Sequence, residues 1–518
     1  MKNQITRRDF LKLAGLLPLS LAAPNFASSL LPKQQSGKSP NVIIVVFDAF
    51  TANNISLYGY QRETTPNLAR LAERAIVYHN HHAGGNFTAP GTATLLTGTL
   101  PWTHRAFNHA GKVEEAFVKE NIFTAFDAYY RLAYSHNPMA NNFLVQFKNS
   151  LDNYVPREKL FLNSDTFVPS FFTNDNDIAT VSWLRAVKGA TEDAEQGYSY
   201  SLFLSHVLHA YEKIQDRKIE ALRAQFPSGL PSVFTDNYYL LEDAVNWFED
   251  TLPNLPKPFI SYLHFMPPHA PYRTRREFYG RLKDDGWLPQ PKPYDLFSRE
   301  ADRNAERTYK KRTSYDEFIL YVDSEFGRFF DYLEGSGLLD DTWLILTADH
   351  GEMFERGIIG HTTPVLYEPV IHIPLMIFEP GNQTHTDVRV TTSAIDILPT
   401  LLHITGQQKA DWAEGVVLPP FSDSYPDNDR NIYALEARKN RKHAPLSIAT
   451  TTLIKGEYKL MYSFGYEELD KRGERVELYD IEHDPGEMNN LYQSKKETAS
   501  ELFNELKSKL AEVNKPYL

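Results

Sequence analysis

The chain predicts an α/β fold built on a large, parallel-rich sheet with helices packed on both faces. Three observations lead there. First, continuous β-branched and apolar runs, Asn41-Val42-Ile43-Ile44-Val45-Val46-Phe47, Pro258 to Phe265 and Thr342 to Thr347, have the composition of strands buried on both sides. Second, helical spacing lies between them: Tyr315, Ile319, Val322, Phe326, Phe329 and Leu333 recur at three- and four-residue intervals before Gly335, and Tyr238 to Phe248 repeats the pattern. Third, each run delivers polar residues at its carboxyl end, where open α/β sheets bind ligands. The first stops at Asp48, the second leads into Met266-Pro267-Pro268-His269-Ala270-Pro271-Tyr272, and the third into Ala348-Asp349-His350-Gly351-Glu352.

A fourth segment, Asn86-Phe87-Thr88-Ala89-Pro90-Gly91-Thr92-Ala93-Thr94-Leu95-Leu96-Thr97-Gly98, reads as a helix start. Pro90 suits a first turn, and Thr88 just before it either caps the helix or faces outward. A helix N-terminus offers free N–H groups and a positive dipole end to an anion. A hydroxyl placed there is positioned to attack a phosphorus or sulfur centre.

The chain has 518 residues, which predicts two domains of unequal size. A net charge of −12 argues against nucleic acid as partner, though not against a small anionic substrate held in a local pocket. There is no cysteine, which excludes disulfides, thiolate metal ligands and a cysteine nucleophile. Thr6-Arg7-Arg8-Asp9-Phe10-Leu11-Lys12, the apolar stretch Leu13 to Ala23, and the small residues Ala27 and Ser28 have the form of a Tat-type bacterial signal over residues 1–27. This predicts a periplasmic or extracellular protein that the Tat export machinery handles. Residues 28–40 read as a flexible leader. No later stretch reaches roughly 18 apolar residues, so the mature chain is expected to carry no stable membrane span.

Taken in order, the blocks resemble the sulfatase family of the alkaline-phosphatase superfamily over nearly the whole mature chain. "VVFDAF…LYGYQRETTPNLARLAERA" is similar to the family's opening motif, "TAPGTATLLTGTLPWTH" to its nucleophile signature, and "PHAPY", "TADHGE", "GHTTPVLYEP" with "IPLMIF", and "SAIDILPTLLHITG" to later blocks. "ELYDIEHDPGEMNNL" is similar to its C-terminal domain. The resemblance implies an alkaline-phosphatase-like catalytic domain over residues 41–410. It also implies a smaller C-terminal α+β domain over 411–518, with a short antiparallel sheet and a terminal helix.

The departures from the family pattern bear on the chemistry. Formylglycine sulfatases oxidise a Cys or Ser at the position of Thr88, and threonine cannot undergo that conversion. The expected Arg is Thr92, the second Asp of the opening pair is Ala49, the Asn after the late Asp is His350, and a later Lys is His361. The pattern resembles the family's threonine-nucleophile phosphoesterases and phosphotransferases. That resemblance implies one divalent metal on Asp48, Thr88, Asp349 and His350, with manganese or zinc favoured over calcium because an imidazole replaces an oxygen ligand. Thr88 is then the nucleophile, and His269 and His361 bind the anion or protonate the leaving group. His136 and Asn137, in a degraded Lys-x-His motif, are expected in the substrate pocket. The substrate class is a small, glycan-linked or lipid-linked anionic ester.

Several readings stay open at this level. A phosphate mono- or diesterase leads; a phosphoglycerol- or phosphoethanolamine-type transferase to an envelope glycan, a sulfuric ester hydrolase and a non-catalytic binding protein are its alternatives. His79-Asn80-His81-His82 invites a metal reading, but strand residues alternate faces and the cluster reads as a polar approach to the nucleophile loop. The stretch from Arg273 to Arg312 reads as a solvated surface segment. Residues 105–255, rich in Phe and Tyr, read as a variable insertion whose aromatics either stack on substrate or form core.

Overall fold

The structure, a computed structural model, describes residues 39–162, 213–214, 217, 219–233, 237–422, 425–426, 430–469 and 473–518. The expected signal segment, nearly all of the leader and the middle of the aromatic-rich stretch lie outside the described residues. Eight strands form the main sheet: β1 (Asn41–Asp48), β2 (Ile76–Tyr78), β3 (Tyr130–Ser135), β4 (Asn153–Tyr154), β5 (Phe259–Pro268), β6 (Thr342–Ala348), β7 (Leu375–Phe378) and β8 (Thr386–Val388). Their spatial order is β8-β2-β7-β6-β1-β5-β3-β4. Every neighbouring pair is parallel except the two made by β7. The expected parallel-rich sheet is present, and its centre is the three apolar runs.

The sheet's two faces are sorted by the period-two alternation of strand side chains. Ile43, Val45 and Phe47 join one core with α1 (Pro66–Ala72), α4 (Leu241–Thr251) and α5 (Ala305–Gly335), whose Tyr315, Phe318, Ile319, Val322, Phe326 and Phe329 are buried. Val42, Ile44 and Val46 join a second core on the other face, with Ala89, Ala93 and Leu96 of α2 (Thr88–Thr97). Helix α2 seats very closely here. A Cβ built on Gly91 would lie 2.0 Å from the Asp349 carbonyl oxygen, so glycine is what lets the helix reach the end of β6.

Two sequence readings change. The stretch 105–255 is not an insertion throughout, because β3 and β4 are strands of the main sheet and Phe123, Phe126, Tyr129, Phe143 and Phe147 belong to its core. Its strands escaped notice because Tyr-Arg-Leu-Ala-Tyr-Ser and Asn-Tyr are short and carry no sustained apolar run. The segment Arg273–Arg312 is not simply solvated either: Thr274, Asp295, Asp302 and Arg312 are buried, and α5 begins at Ala305, capped by Asn304.

The C-terminal part is a four-stranded antiparallel meander, β9 (Ile432–Glu436), β10 (Ala449–Lys455), β11 (Tyr458–Phe464) and β12 (Glu474–Asp480). Helix Lys496–Asn514 covers it, burying Ala499, Leu502, Leu506 and Leu510 at helical spacing against Leu435, Leu453, Leu460 and Leu478. Among the described residues no helix is long and apolar enough to cross a membrane.

Replacing a helical glycine with alanine ordinarily adds about 1 kcal/mol of stability. At Gly91 the sign should reverse: Gly91→Ala should cost about 1–3 kcal/mol through overpacking against Asp349. Urea unfolding of the two proteins measures this, and a stabilised variant would contradict the close helix–strand approach.

Candidate active site

Strands β1 and β6 are parallel neighbours with Phe47 opposite Ala348, so Asp48 and Asp349 emerge together at one sheet edge. Both carboxylates are buried. Ala49 then turns the chain through a left-handed conformation (φ 59°), and its amide donates to Asp349 Oδ1 at 3.3 Å. The Tyr315 hydroxyl holds the same turn by donating to the Ala49 carbonyl at 2.6 Å.

Two buried imidazoles flank the carboxylates. His264 Nε2 lies 3.2 Å from Asp48 Oδ2 and 3.8 Å from Asp349 Oδ2. His350 Nε2 lies 3.4 Å from Asp48 Oδ1 and 3.7 Å from Asp349 Oδ2. Each ring's other nitrogen is engaged: His350 Nδ1 donates to the Gly351 carbonyl at 2.8 Å, and His264 Nδ1 is 3.0 Å from the Tyr262 hydroxyl.

The electrostatics show a site made for positive charge. Burial works to raise the pKa of Asp48, but His269, His264 and His350 outweigh it and hold the carboxyl well below its ordinary range. Asp349 is pushed up by burial and by the negative charge of Asp48. Burial opposes protonation of His350, yet Asp349 and Asp48 raise its pKa to about 9. Two buried carboxylates this close need a cation, whether a proton on an imidazole or a metal ion.

Thr88 is the first residue of α2, and the N-cap position belongs to Phe87, which makes no side-chain cap bond. The Thr88 hydroxyl is therefore not spent on capping. It lies 3.4 Å from His350 Nε2 and accepts from Asn137 Nδ2 at 3.2 Å. Asn137 also donates to Asp48 Oδ2, and its own Oδ1 accepts from the Met139 amide at 2.7 Å as N-cap of α3 (Pro138–Gln146). One amide side chain thus ties a helix start, the hydroxyl and the first carboxylate together.

His269 and His361 stand at the mouth, half-buried, with ring centroids 4.9 Å apart, and His361 is 4.3 Å from the His350 ring. His269 Nδ1 donates to the Ala270 carbonyl at 2.7 Å, which leaves Nε2 for a substrate. His361 Nδ1 is 3.1 Å from Glu352 Oε1, while Glu352 Oε2 accepts from the Tyr272 hydroxyl at 3.0 Å. Burial is the main reason that the pKa of His361 falls to about 4, against the opposing charge of Glu352. His361 is therefore a neutral imidazole near pH 7.

Residues 40–407 match the family described as Sulfatase. The chain belongs to the sulfatase family. Residues 361–516 also match a family described as N-sulphoglucosamine sulphohydrolase, C-terminal. A choline-sulfatase of Rhizobium meliloti (strain 1021) is 23% identical over 87% of this chain and 82% of its own. An arylsulfatase of Clostridium perfringens (strain 13 / Type A) is 21% identical over 88% of this chain and 90% of its own. The crystal structure of a phosphonate monoester hydrolase of Agrobacterium radiobacter superposes with a TM-score of 0.60 at 19% identity, covering 92% of this chain and 96% of that one.

As a sulfatase-family hydrolase, the protein has a family that uses a metal ion, and the residues here fit one. Asp48, His264 and Asp349 offer donor atoms that all lie within 4.8 Å of one another. Asp48 Oδ1 is buried with no hydrogen-bond partner among the described residues. A first-row cation bonded at about 2.0–2.2 Å holds neighbouring donors about 3 Å apart, close to the separations seen.

Of the residues expected from the sequence, Asp48, Thr88, Asn137, His269, Asp349, His350 and His361 gather in this cluster. His136 does not. It is fully buried on the opposite side of its strand end, stacked on Tyr239 at 4.5 Å and on Phe161 at 6.2 Å, and neither ring nitrogen has a partner among the described residues. The histidines of the 79–82 segment separate as alternation requires: His79 meets Asp387, His81 meets Thr392 and His82 meets Glu368. Sequence reasoning missed His264 and Glu352. The one signal for His264 was an ionisable residue inside an otherwise apolar strand.

Burial, with a smaller effect from Arg157, lowers the pKa of His136 to about 3. A histidine depressed in the folded state favours unfolding as pH falls, so its penalty is absent above about 6.5 and grows toward pH 3. His136→Phe should therefore lose about 2–3 kcal/mol less stability than the parent between pH 7 and 4.5. Urea unfolding at the two pH values checks this; equal losses would place a charge-stabilising partner beside His136.

Proposed function

We propose that the protein is a metal-dependent, exported hydrolase of phosphate mono- or diesters with Thr88 as nucleophile. The observation that carries this reading is the uncapped, buried Thr88 hydroxyl, held between Asn137 Nδ2 and His350 Nε2 beside two carboxylates. With no cysteine in the chain and threonine at this position, formylglycine chemistry has no precursor.

Asp48, Asp349, His350 and Thr88 would hold the metal, manganese or zinc in preference to calcium. When bound, such an ion lowers the pKa of a coordinated hydroxyl and neutralises charge on phosphoryl oxygens. The chain's own residues supply the rest. Asn137 orients the Thr88 oxygen, which, once its proton has passed to bulk water, forms a bond to phosphorus as the ester oxygen–phosphorus bond breaks. His269, whose Nδ1 is held by the Ala270 carbonyl, gives a proton from Nε2 to the departing alkoxide. Water then cleaves the phosphothreonine, with the neutral His361 Nε2 accepting its proton and Glu352 steadying the ring through Nδ1. Helix α2 presents its N-terminal dipole end to the anion throughout.

The test is turnover of bis-aryl and mono-aryl phosphate and sulfate esters by the full chain loaded with manganese or zinc. Thr88→Ala should lower phosphoester kcat by at least about a thousandfold, and Thr88→Ser should keep it within about tenfold. Mass spectrometry of quenched enzyme should find a phosphate on Thr88. Sulfate turnover that survives Thr88→Ala would give the reaction to another nucleophile and overturn the proposal.

A further inference from the structure

We infer that His264 is a further direct ligand of the active-site metal, so that two carboxylates and two imidazoles hold it together with the Thr88 hydroxyl. Its Nε2 faces both carboxylates, 3.2 Å from Asp48 Oδ2 and 3.8 Å from Asp349 Oδ2. These separations are those of donors sharing one first-row cation. The side chain is 0% exposed, and burying an imidazole in the centre of a sheet is costly unless both nitrogens are used. Tyr262 lies 3.0 Å from Nδ1; in the tautomer whose Nδ1–H donates to the Tyr262 oxygen, Nε2 turns its lone pair toward the carboxylates. Metal-bound histidines carry this second contact almost without exception, and His350 shows it too, through the Gly351 carbonyl.

The backbone explains why this position serves. His264 is level with Val46 across the β1–β5 pair, so it shares the face that α2 covers, and Tyr262 lies two residues earlier on that same face. Residue 49, next to the first carboxylate, is an alanine and offers no donor side chain; only its amide reaches Asp349. His264 supplies a donor on the Oδ2 side of Asp48, while His350 stands on the Oδ1 side. A set of two imidazoles and two carboxylates selects a zinc- or manganese-class ion over calcium, which prefers six to eight oxygens.

The experiment is X-ray absorption on the zinc-loaded full chain, paired with zinc titration calorimetry on the metal-free protein. The wild type should show two imidazoles in the zinc shell and His264→Asn one, with zinc affinity lower by at least about a hundredfold. Tyr262→Phe should keep two imidazoles and weaken zinc binding by about tenfold to a hundredfold, as a positioning residue does. One imidazole in the wild type, or undiminished zinc affinity in a folded His264→Asn, overturns the inference. If His264→Asn fails to fold, the wild-type count still decides. The inference rests on the metal-dependent reading of the site, but the two fail separately. Two imidazoles without ester turnover would remove the hydrolase and keep the ligand; turnover with one imidazole would do the reverse.

Discussion

Asp48 and Asp349, two buried carboxylates side by side at the end of adjacent parallel strands, are the constraint to which the rest of the site answers. Both are withdrawn from bulk solvent, and each raises the cost of ionising the other. Everything near them responds to that cost. His264 and His350 turn their Nε2 atoms inward, the Ala49 amide reaches Asp349, and Asn137 brings an N–H to Asp48. A bound cation completes this arrangement at the least expense, because the donors are already held at coordinating separations and need little reorganisation.

Thr88, the proposed nucleophile, is tied to this centre by a steric contact as well as by the Asn137 hydrogen bond. Helix α2 approaches the backbone of Asp349 so closely that only glycine fits at residue 91, and this contact sets how far Thr88 stands from His350. The loop before the helix is pinned from the other side. Lys459, fully buried on β11, bridges Glu368 and Glu487 at 2.8 Å each, and Glu368 in turn meets His82 at 3.1 Å. The Leu435 amide bonds the Gly84 carbonyl at 2.9 Å. The C-terminal sheet therefore does more than cap the molecule: it fixes the entry to α2 through a buried, paired charge. Removing one partner of such a network would strand an uncompensated charge, which is why its members act as a unit.

The outer ring of the site divides into a tuned part and a packed part. His361 is kept neutral by burial while Glu352 and Tyr272 fix its ring, so it is suited to accept a proton rather than to carry one. His136 is equally buried but is enclosed by Tyr134, Phe161, Tyr239 and Phe265, and its contribution is to the core. Adjacent residues in one short motif thus went to opposite ends: Asn137 to the hydroxyl and carboxylate, His136 to the aromatic packing.

The parallel sheet, the gathering of polar residues at the carboxyl ends of β1 and β6, and a helix beginning close to Thr88 were legible in the sequence, because each is written in local period and in which residues interrupt it. Apolar runs must pair, and the polar residue ending a run must sit at the sheet edge, whatever the remainder of the chain does. His264 was not legible, because a histidine within an apolar strand is equally consistent with core packing. Only the register against Val46, and the position of Tyr262 two residues earlier, turn its ring toward Asp48. The same holds for Glu352 and for the parting of His136 from Asn137. Residue type and spacing determined which chemistry this protein could carry; long-range strand register and helix packing, which depend on contacts hundreds of residues apart, decided which side chains meet to carry it.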